Sequence, residues 1–294
     1  MKSITVFTPT FNRAHTLSRV YESLCKQTSK DFKWLIIDDG SEDETRDKVD
    51  QWRNEKKIEI KYIYQENQGK QMAVNRGVKE CDTELFAFLD SDDYYLNDTI
   101  ERMLCLWKDI SESDKVAGVI ARRGVDSKKV LGKEDISINK AIINYCELVN
   151  KYNFYGDTCR VYRKNILLEN LYPVTGEKFI PENVMFGKIN MKYDLYFINE
   201  ILSISGYLED GYTKNYRKLL RKNPKGYMLS LNQSISEKYS YRIKIKNILS
   251  YIVWGKVNNI DGVFKECSKK LDYIALYPIG LILYWLKIPK WFFE

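Results

Sequence analysis

The chain is predicted to be an α/β protein built on a mostly parallel sheet, and three observations point there. Strand-like runs alternate with helical patterns through the first half, three of those runs end in polar clusters, and 294 residues are enough to bury a large core. Residues 3–8, Ser-Ile-Thr-Val-Phe-Thr, are rich in β-branched and aromatic side chains and read as the first strand. A helical apolar period follows at 14–26, a strand at 32–37, a helix at 42–54, a strand at 58–64, a helix at 69–79 and a strand at 84–89. Each parallel pair needs a crossover, and the intervening helices supply it. Past 116–123 the pattern becomes mixed, with a hairpin expected around 193–197 and 201–208 and helices beyond Gly226.

Charge divides the chain. Residues 211–250 hold ten basic residues against one acid, Glu237, a net of +9, whereas the whole chain is +7 and the remainder therefore −2. The expected boundary is Gly211, separating a region 1–210 from a basic, helical region 211–294. From Tyr273 to Leu286 no charged residue occurs, Pro278 and Gly280 interrupt the stretch, and Lys287 and Lys290 precede Trp291-Phe292-Phe293. Fourteen residues fall short of the roughly twenty that span a bilayer as a helix. Two readings stand: residues 273–293 lie in the headgroup region of an anionic membrane surface, or they form a helix covering an apolar face. No nucleic-acid-binding motif accompanies the basic region, so a nucleic-acid partner is not expected.

The six cysteines are scattered without a C-x-x-C pair and read as reduced, buried thiols. Met1 leads directly into Ile4-Thr5-Val6-Phe7, with no charged segment followed by a long apolar one, and the expected compartment is the cytoplasm. The N-x-S/T matches at Asn97 and Asn232 carry no meaning there. His15 is the only histidine, expected on the surface of the first helix, and zinc-hydrolase and histidine-triad chemistry are poorly supported.

In open parallel sheets ligands sit beyond the carboxyl ends of the strands. Here three such ends carry Thr8-Pro9-Thr10-Phe11-Asn12-Arg13, Asp38-Asp39-Gly40-Ser41 and Asp90-Ser91-Asp92-Asp93, and a common crevice would bring them together. Asp90 and Asp92, two apart on an extended chain, can face one site and offer hard oxygens to Mn²⁺ or Mg²⁺; alternatively Asp92 and Asp93 cap a helix starting near Leu96. Gly40 permits a close turn, and Ser41 with Glu44 forms a capping box for the next helix. Lys70, after Gly69 at a helix start, either contacts phosphate or is a solvated surface group.

Taken together, these motifs resemble glycosyltransferase family 2: Val6 to Arg13; Ile36 to Ser41 with Thr45; Asn67-Gln68-Gly69-Lys70 before a helix with Asn75 and Gly77; and Phe88 to Asp93. The resemblance is good over the first 100 residues, loose over the next 110 and slight over the last 80. It implies a GT-A fold over 1–210, with a nucleotide-binding half about 1–100 and an acceptor half about 101–210. It also implies a nucleotide-sugar donor, a UDP-sugar first, and metal-assisted transfer with inversion. Carried over, Asp90 faces the ribose, with Ser91 beside it; Asp92 binds the metal with Asp93 assisting; Asp39, Gly40 and Ser41 meet the nucleobase; Thr8, Pro9 and Thr10 shape that pocket; Gly69 and Lys70 meet phosphate.

Inversion needs a base on the acceptor hydroxyl. The family supplies it as the second acid of a Glu-Asp pair, where this chain reads Glu182-Asn183. The assignment moves to Glu182, which also suits a helix first turn, with Asp157 of Tyr155-Gly156-Asp157-Thr158 in reserve. Residues 207–213 resemble the family's segment that closes the donor site. The expected activity moves one sugar to a lipid-linked or oligosaccharide acceptor in envelope or capsule assembly at the inner membrane face. Absence of Q-x-x-R-W and of spanning helices argues against a processive synthase. The alternatives are a polyprenyl-phosphate sugar transferase and an inactive nucleotide- or glycan-binding protein.

Overall fold

β1 (Ile4–Thr10) is buried along its whole length, as a strand covered on both faces must be. It opens a run of βα units: α1 (Ala14–Cys25), β2 (Phe32–Asp38), α2 (Thr45–Glu55), β3 (Ile60–Tyr64), α3 (Lys70–Glu80), β4 (Leu85–Phe88). Next come β5 (Tyr94–Tyr95), α4 (Thr99–Lys108), β6 (Val116–Gly124), β7 (Lys140–Ile143), α5 (Tyr145–Tyr152), β8 (Thr158–Arg163) and α6 (Lys164–Glu169). After α7 (Asn183–Lys192) and β9 (Asp194–Ile204) the chain is helical: α8 (Tyr212–Lys222), α9 (Pro224–Ser236), α10 (Tyr241–Val257), α11 (Val263–Glu266) and α12 (Lys270–Trp285). The computed structural model describes residues 2–206 and 212–286, and the chain divides into two units, Met1–Leu171 with Lys192–Leu208, and Tyr172–Met191 with Glu209–Glu294.

The first unit holds one sheet in the order β3-β2-β1-β4-β8-β6-β9-β5, with β7 also on β9. The four strands expected from alternation, β3-β2-β1-β4, run parallel to their neighbours; β8 is antiparallel to both β4 and β6. The chain thus leaves β1 for β2 on one side and returns to β4 on the other, which makes the carboxyl end of β1 a topological switch point. Leu17, Val20, Tyr21 and Leu24 of α1 follow helical spacing and are buried. Tyr21 stacks on Trp52 at 4.7 Å and Trp52 on Trp34 at 5.9 Å, an aromatic core between α1, α2 and β2. Trp34 is fully buried, and its truncation to Ala is worth about 3–5 kcal/mol on general grounds. A Cβ on Gly77 would lie 2.3 Å from the Phe7 ring, so glycine lets α3 approach β1.

Three expectations are corrected. The segment expected to fold back as a hairpin is a single strand, β9. No Gly or Pro stands between Phe197 and Ile201 to turn the chain; instead Ile120 pairs with Phe197 and Arg122 with Ile201, so the extra residues are absorbed as a bulge while β7 keeps pairing across Ile198. The Ser41–Glu44 capping box does not form. Ser41 Oγ accepts the Asn12 N–H at 2.8 Å, and the Asp43 carboxylate takes the α2 start instead, accepting the Thr45 N–H at 3.1 Å and its hydroxyl at 2.5 Å. The six cysteines are unpaired, but Cys105 is exposed and Cys25 half-buried. His15 is exposed on α1, as expected.

The second unit buries Phe179, Met228, Leu231, Ile235, Ile248, Tyr251, Ile252 and Trp254. Pro224 begins α9, and the Glu177 carboxylate accepts the N–H groups of Lys225 at 3.0 Å and Gly226 at 2.7 Å, meeting the positive end of that helix. A Cβ on Gly280 would lie 2.6 Å from Ile252, so glycine seats α12 on α10.

Candidate active site

Strand register brings the predicted clusters to one edge. Thr10 lies opposite Asp38 and Phe7 opposite Phe88, with the Asp39 N–H donating to Thr10 O at 2.8 Å and the Leu89 N–H to Phe7 O at 3.0 Å. The loops after β1 and β2 are laced together at this edge. Beyond the Ser41 contact, Asn12 Oδ1 accepts the Glu42 N–H at 2.8 Å, and Asn12 sits at φ 52°, a left-handed conformation that asparagine tolerates. Gly40 is at φ 90°, and a Cβ there would lie 2.9 Å from Asn67 N. Thr8 is buried and accepts the Trp34 indole N–H at 2.9 Å; Pro9 is buried beside it. Among the described residues, Thr10 Oγ1 and Arg123 Nε are both buried without a hydrogen-bond partner.

Asp38 and Asp39 are both buried and do different work. Asp38 accepts the Ser41 N–H at 2.8 Å and the Tyr62 hydroxyl at 2.6 Å. Asp39 accepts the Gln65 side-chain amide at 2.7 Å and the N–H groups of Gln68 at 2.9 Å and Gly69 at 2.7 Å. Asp39 therefore fixes the turn into α3, with Gly69 at φ 94° as the residue before its first turn.

The three aspartates after β4 occupy three environments. Asp90 is 30% exposed and lies 2.8 Å from Lys70 Nζ and 3.7 Å from Arg123 Nη1. Burial raises its pKa, but Lys70 and Arg123 outweigh burial and hold it below the ordinary carboxylate value. Asp93 is nearly inaccessible, 2.8 Å from Arg123 Nη1, and its Oδ1 accepts the Gly206 N–H at 3.2 Å. Burial pushes Asp93 up to about 7, reinforced by Asp90 and Asp92 and opposed by Arg123. Asp92 is half-buried, its pKa raised by burial and by Asp90, and among the described residues no cation stands within ion-pair distance of its carboxylate. Ser91 is buried between them.

Arg123 was not singled out by sequence. It lies near the end of β6 beside Arg122, burial opposes its charge, and Asp93, Asp90 and Asp157 together hold it well above the ordinary guanidinium pKa. Its N–H donates to Asp157 O at 3.3 Å, so the reserve acid Asp157, exposed just before β8, reaches the same edge through Arg123. The signal was present as two arginines closing an apolar run, since a charge carried on a buried strand requires counterions.

Glu182 belongs to the second unit rather than to this cluster. Its side chain is exposed and its carbonyl accepts the N–H groups of Met185 and Phe186, both at 3.2 Å, at the start of α7. Asn183 is fully engaged: its amide donates to Ser230 O at 3.0 Å and Ser234 Oγ at 2.9 Å, and its oxygen accepts the Ser230 hydroxyl at 2.7 Å. An amide is the group that can both donate and accept there. Residues 207–213, and residues 287–293 of the expected anchor, lie outside the described side chains.

Concavity alone does not locate this edge. A cavity of about 440 Å³ lined by Lys30, Phe32, Lys56 and Ile60 lies where β2 and β3 begin, at the opposite end of the strands. Among the described residues no three His, Cys, Asp or Glu side chains form a ready cation cage.

The family model described as glycosyl transferase family 2 matches residues 5–171. An uncharacterized glycosyltransferase of Nostoc is 35% identical over 182 residues, covering 60% of this chain and 55% of the relative. The chain spans about half the length, or less, of the curated relatives it matches first. In fold it is similar to S. aureus TarS 1–349 in complex with UDP-GlcNAc, with TM-score 0.62, 15% identity and coverage of 96% of this chain and 80% of that one. It is likewise similar to the mannosyltransferase PcManGT of Pyrobaculum calidifontis in complex with GDP-Man and Mn²⁺, with TM-score 0.59, 14% identity and coverage of 95% and 79%. With the model matching more than half of its length, over the strands and loops that build this edge, the chain belongs to glycosyl transferase family 2.

Proposed function

We propose that the chain is a metal-dependent inverting glycosyltransferase that moves one sugar from a nucleotide-sugar, a UDP-sugar first, to a lipid-linked or glycan acceptor in envelope or capsule polysaccharide assembly. The observation that carries this reading is Asp92. Among the described residues it stands at the switch-point edge without a cation partner, between two aspartates that already have theirs. A divalent ion that bridges to substrate phosphates needs only one or two protein carboxylates, so Asp92, with Asp90 beside it, fits Mn²⁺ or Mg²⁺ without a closed cage. When bound, the ion would offset charge developing on the leaving diphosphate. The complexes named for the two fold neighbours, one with UDP-GlcNAc and one with GDP-Man and Mn²⁺, support a nucleotide-sugar and a divalent cation.

The chain's own residues divide the remaining work. Lys70 at the start of α3 holds Asp90 and puts positive charge at a helix N-terminus suited to phosphate. Three hydrogen bonds occupy Asp39, leaving one acceptor direction for a base edge. Gly40 keeps that loop close, Thr8 and Pro9 wall it, and Ser41 and Thr10 complete the pocket. Asp93 acts through Arg123 and Gly206 by fixing the loop that carries Asp92. Glu182 takes the acceptor proton, with Asp157 in reserve.

The test is a panel of nucleotide sugars with Mn²⁺, following nucleoside diphosphate release with and without EDTA. One donor is expected to give EDTA-sensitive release; release indifferent to EDTA removes the metal from the reading. Activity on polyprenyl phosphate that is indifferent to Glu182 would favour a phosphate acceptor, which needs no strong base.

A further inference from the structure

Helix α12 is apolar on two faces, and among the described residues only one of them is covered. Tyr273 and Gly280 are buried, Gly280 against Ile252 and the Tyr273 ring 6.4 Å from that of Tyr251. On the other side Leu271 is 83% exposed, Ile274 57%, Ile282 57% and Trp285 76%, with Pro278 exposed between them. Positions 271, 274, 278, 282 and 285 advance by three or four, so they form one stripe, about 21 Å long at 1.5 Å per residue. No charged residue occurs from 273 to 286. Exposed Lys269 and Lys270 flank one end of the stripe and Tyr284 with Trp285 the other, the order of groups that suits a headgroup boundary. A water-facing apolar stripe of this continuity marks an interaction surface.

Charge selects the occupant. The second unit holds eighteen basic and nine acidic residues, a net of +9 that exceeds the +7 of the whole chain. A second copy would set +9 against +9, whereas an anionic lipid surface offers both an apolar layer and the opposite sign. With 16 residues, α12 is too short to cross a bilayer, and no described helix is long and apolar enough to do so. We infer that the exposed stripe of α12 docks in the plane of an anionic bilayer surface, with the basic second unit held against its headgroups. This inference does not rest on the proposed sugar transfer and survives if that reading fails.

Flotation of the full chain with phosphatidylcholine vesicles, with or without phosphatidylglycerol, tests it. Binding is expected only to the anionic vesicles and is expected to weaken at about 0.5 M salt. Ile274→Glu with Ile282→Glu should lower it by about tenfold or more while leaving the thermal midpoint unchanged, because both side chains face water. Lys269→Glu with Lys270→Glu is a second probe that leaves the apolar stripe intact and should also lower binding. The inference is overturned by absence of binding to anionic vesicles, by parental binding of either double variant, or by a solution dimer that dissociates on Ile274→Glu with Ile282→Glu.

Discussion

Arg123 Nη1 lies 2.8 Å from Asp93 Oδ2 and 3.7 Å from Asp90 Oδ2, so one guanidinium on β6 ties down the loop that follows β4. Removing one partner of a buried pair leaves the other charge uncompensated, which typically costs about 3–5 kcal/mol. Arg123→Ala should therefore destabilise the chain by that order in urea unfolding, and Arg123→Lys by less. A stability change below about 0.5 kcal/mol for Arg123→Ala would sink the structural role assigned to the pair.

Asp92 should behave in the opposite way. It is half-buried and carries no ion pair among the described residues, so Asp92→Asn is expected to leave stability within about 0.5 kcal/mol of the parent. Diphosphate release should nonetheless fall by about 100-fold or more, as loss of stabilisation at a developing charge implies. EDTA should inhibit the parent and have no further effect on the variant. Asp93→Asn should differ by losing stability, because it disturbs Arg123 and the Gly206 N–H and so loosens the loop that carries Asp92. Measuring both variants by urea unfolding and by release separates the two acids, and equal behaviour in both assays would undo the division.

What could be read in advance was what local sequence encodes. β1 to β4 and their helices follow from the alternation of period-two and helical patterns, and the edge follows because parallel strands put their carboxyl ends together. Arg123 escaped because nothing near it in sequence says that β6 lies beside β8, which in turn lies beside β4; only this long-range pairing brings the residue to Asp90 and Asp93. The Asn199-Glu200 bulge escaped for the same reason, since its partners on β6 and β7 lie 56 or more positions earlier. Asn183 looked like a defective base because a family position was compared, whereas its bonds to Ser230 and Ser234 give the amide a separate structural purpose.

Glu182 and Asn183 are thus expected to separate cleanly. Asn183→Ala removes three hydrogen bonds between α7 and α9, and leaving their partners unmet should cost about 1–3 kcal/mol in thermal or urea unfolding. Glu182→Gln keeps the helix start, whose bonds come from the Glu182 carbonyl, and should leave the midpoint in place. If Glu182 takes the acceptor proton, kcat falls by about 100-fold or more with the donor KM little changed. Near-parental transfer by Glu182→Gln moves the base to Asp157.

Asp43 sets the expected response to acid at this edge. Burial alone would raise its pKa, but the Thr45 hydroxyl and the N–H groups of Ala14 and Thr45 outweigh burial and hold it below the ordinary value. A carboxyl depressed in the folded state adds stability that is fully present above its unfolded pKa, about 3.9, and is lost as pH falls through the lower folded value. The thermal midpoint should therefore drop on acidification below about pH 4, and Asp43→Ala should flatten that drop while lowering the midpoint at neutral pH. Because Asp43 joins the start of α1 to the start of α2, beside the Asn12–Ser41 lacing, the same variant should raise the donor KM more than it lowers kcat. An acid response of Asp43→Ala identical to the parent's would assign the acid sensitivity to another carboxylate.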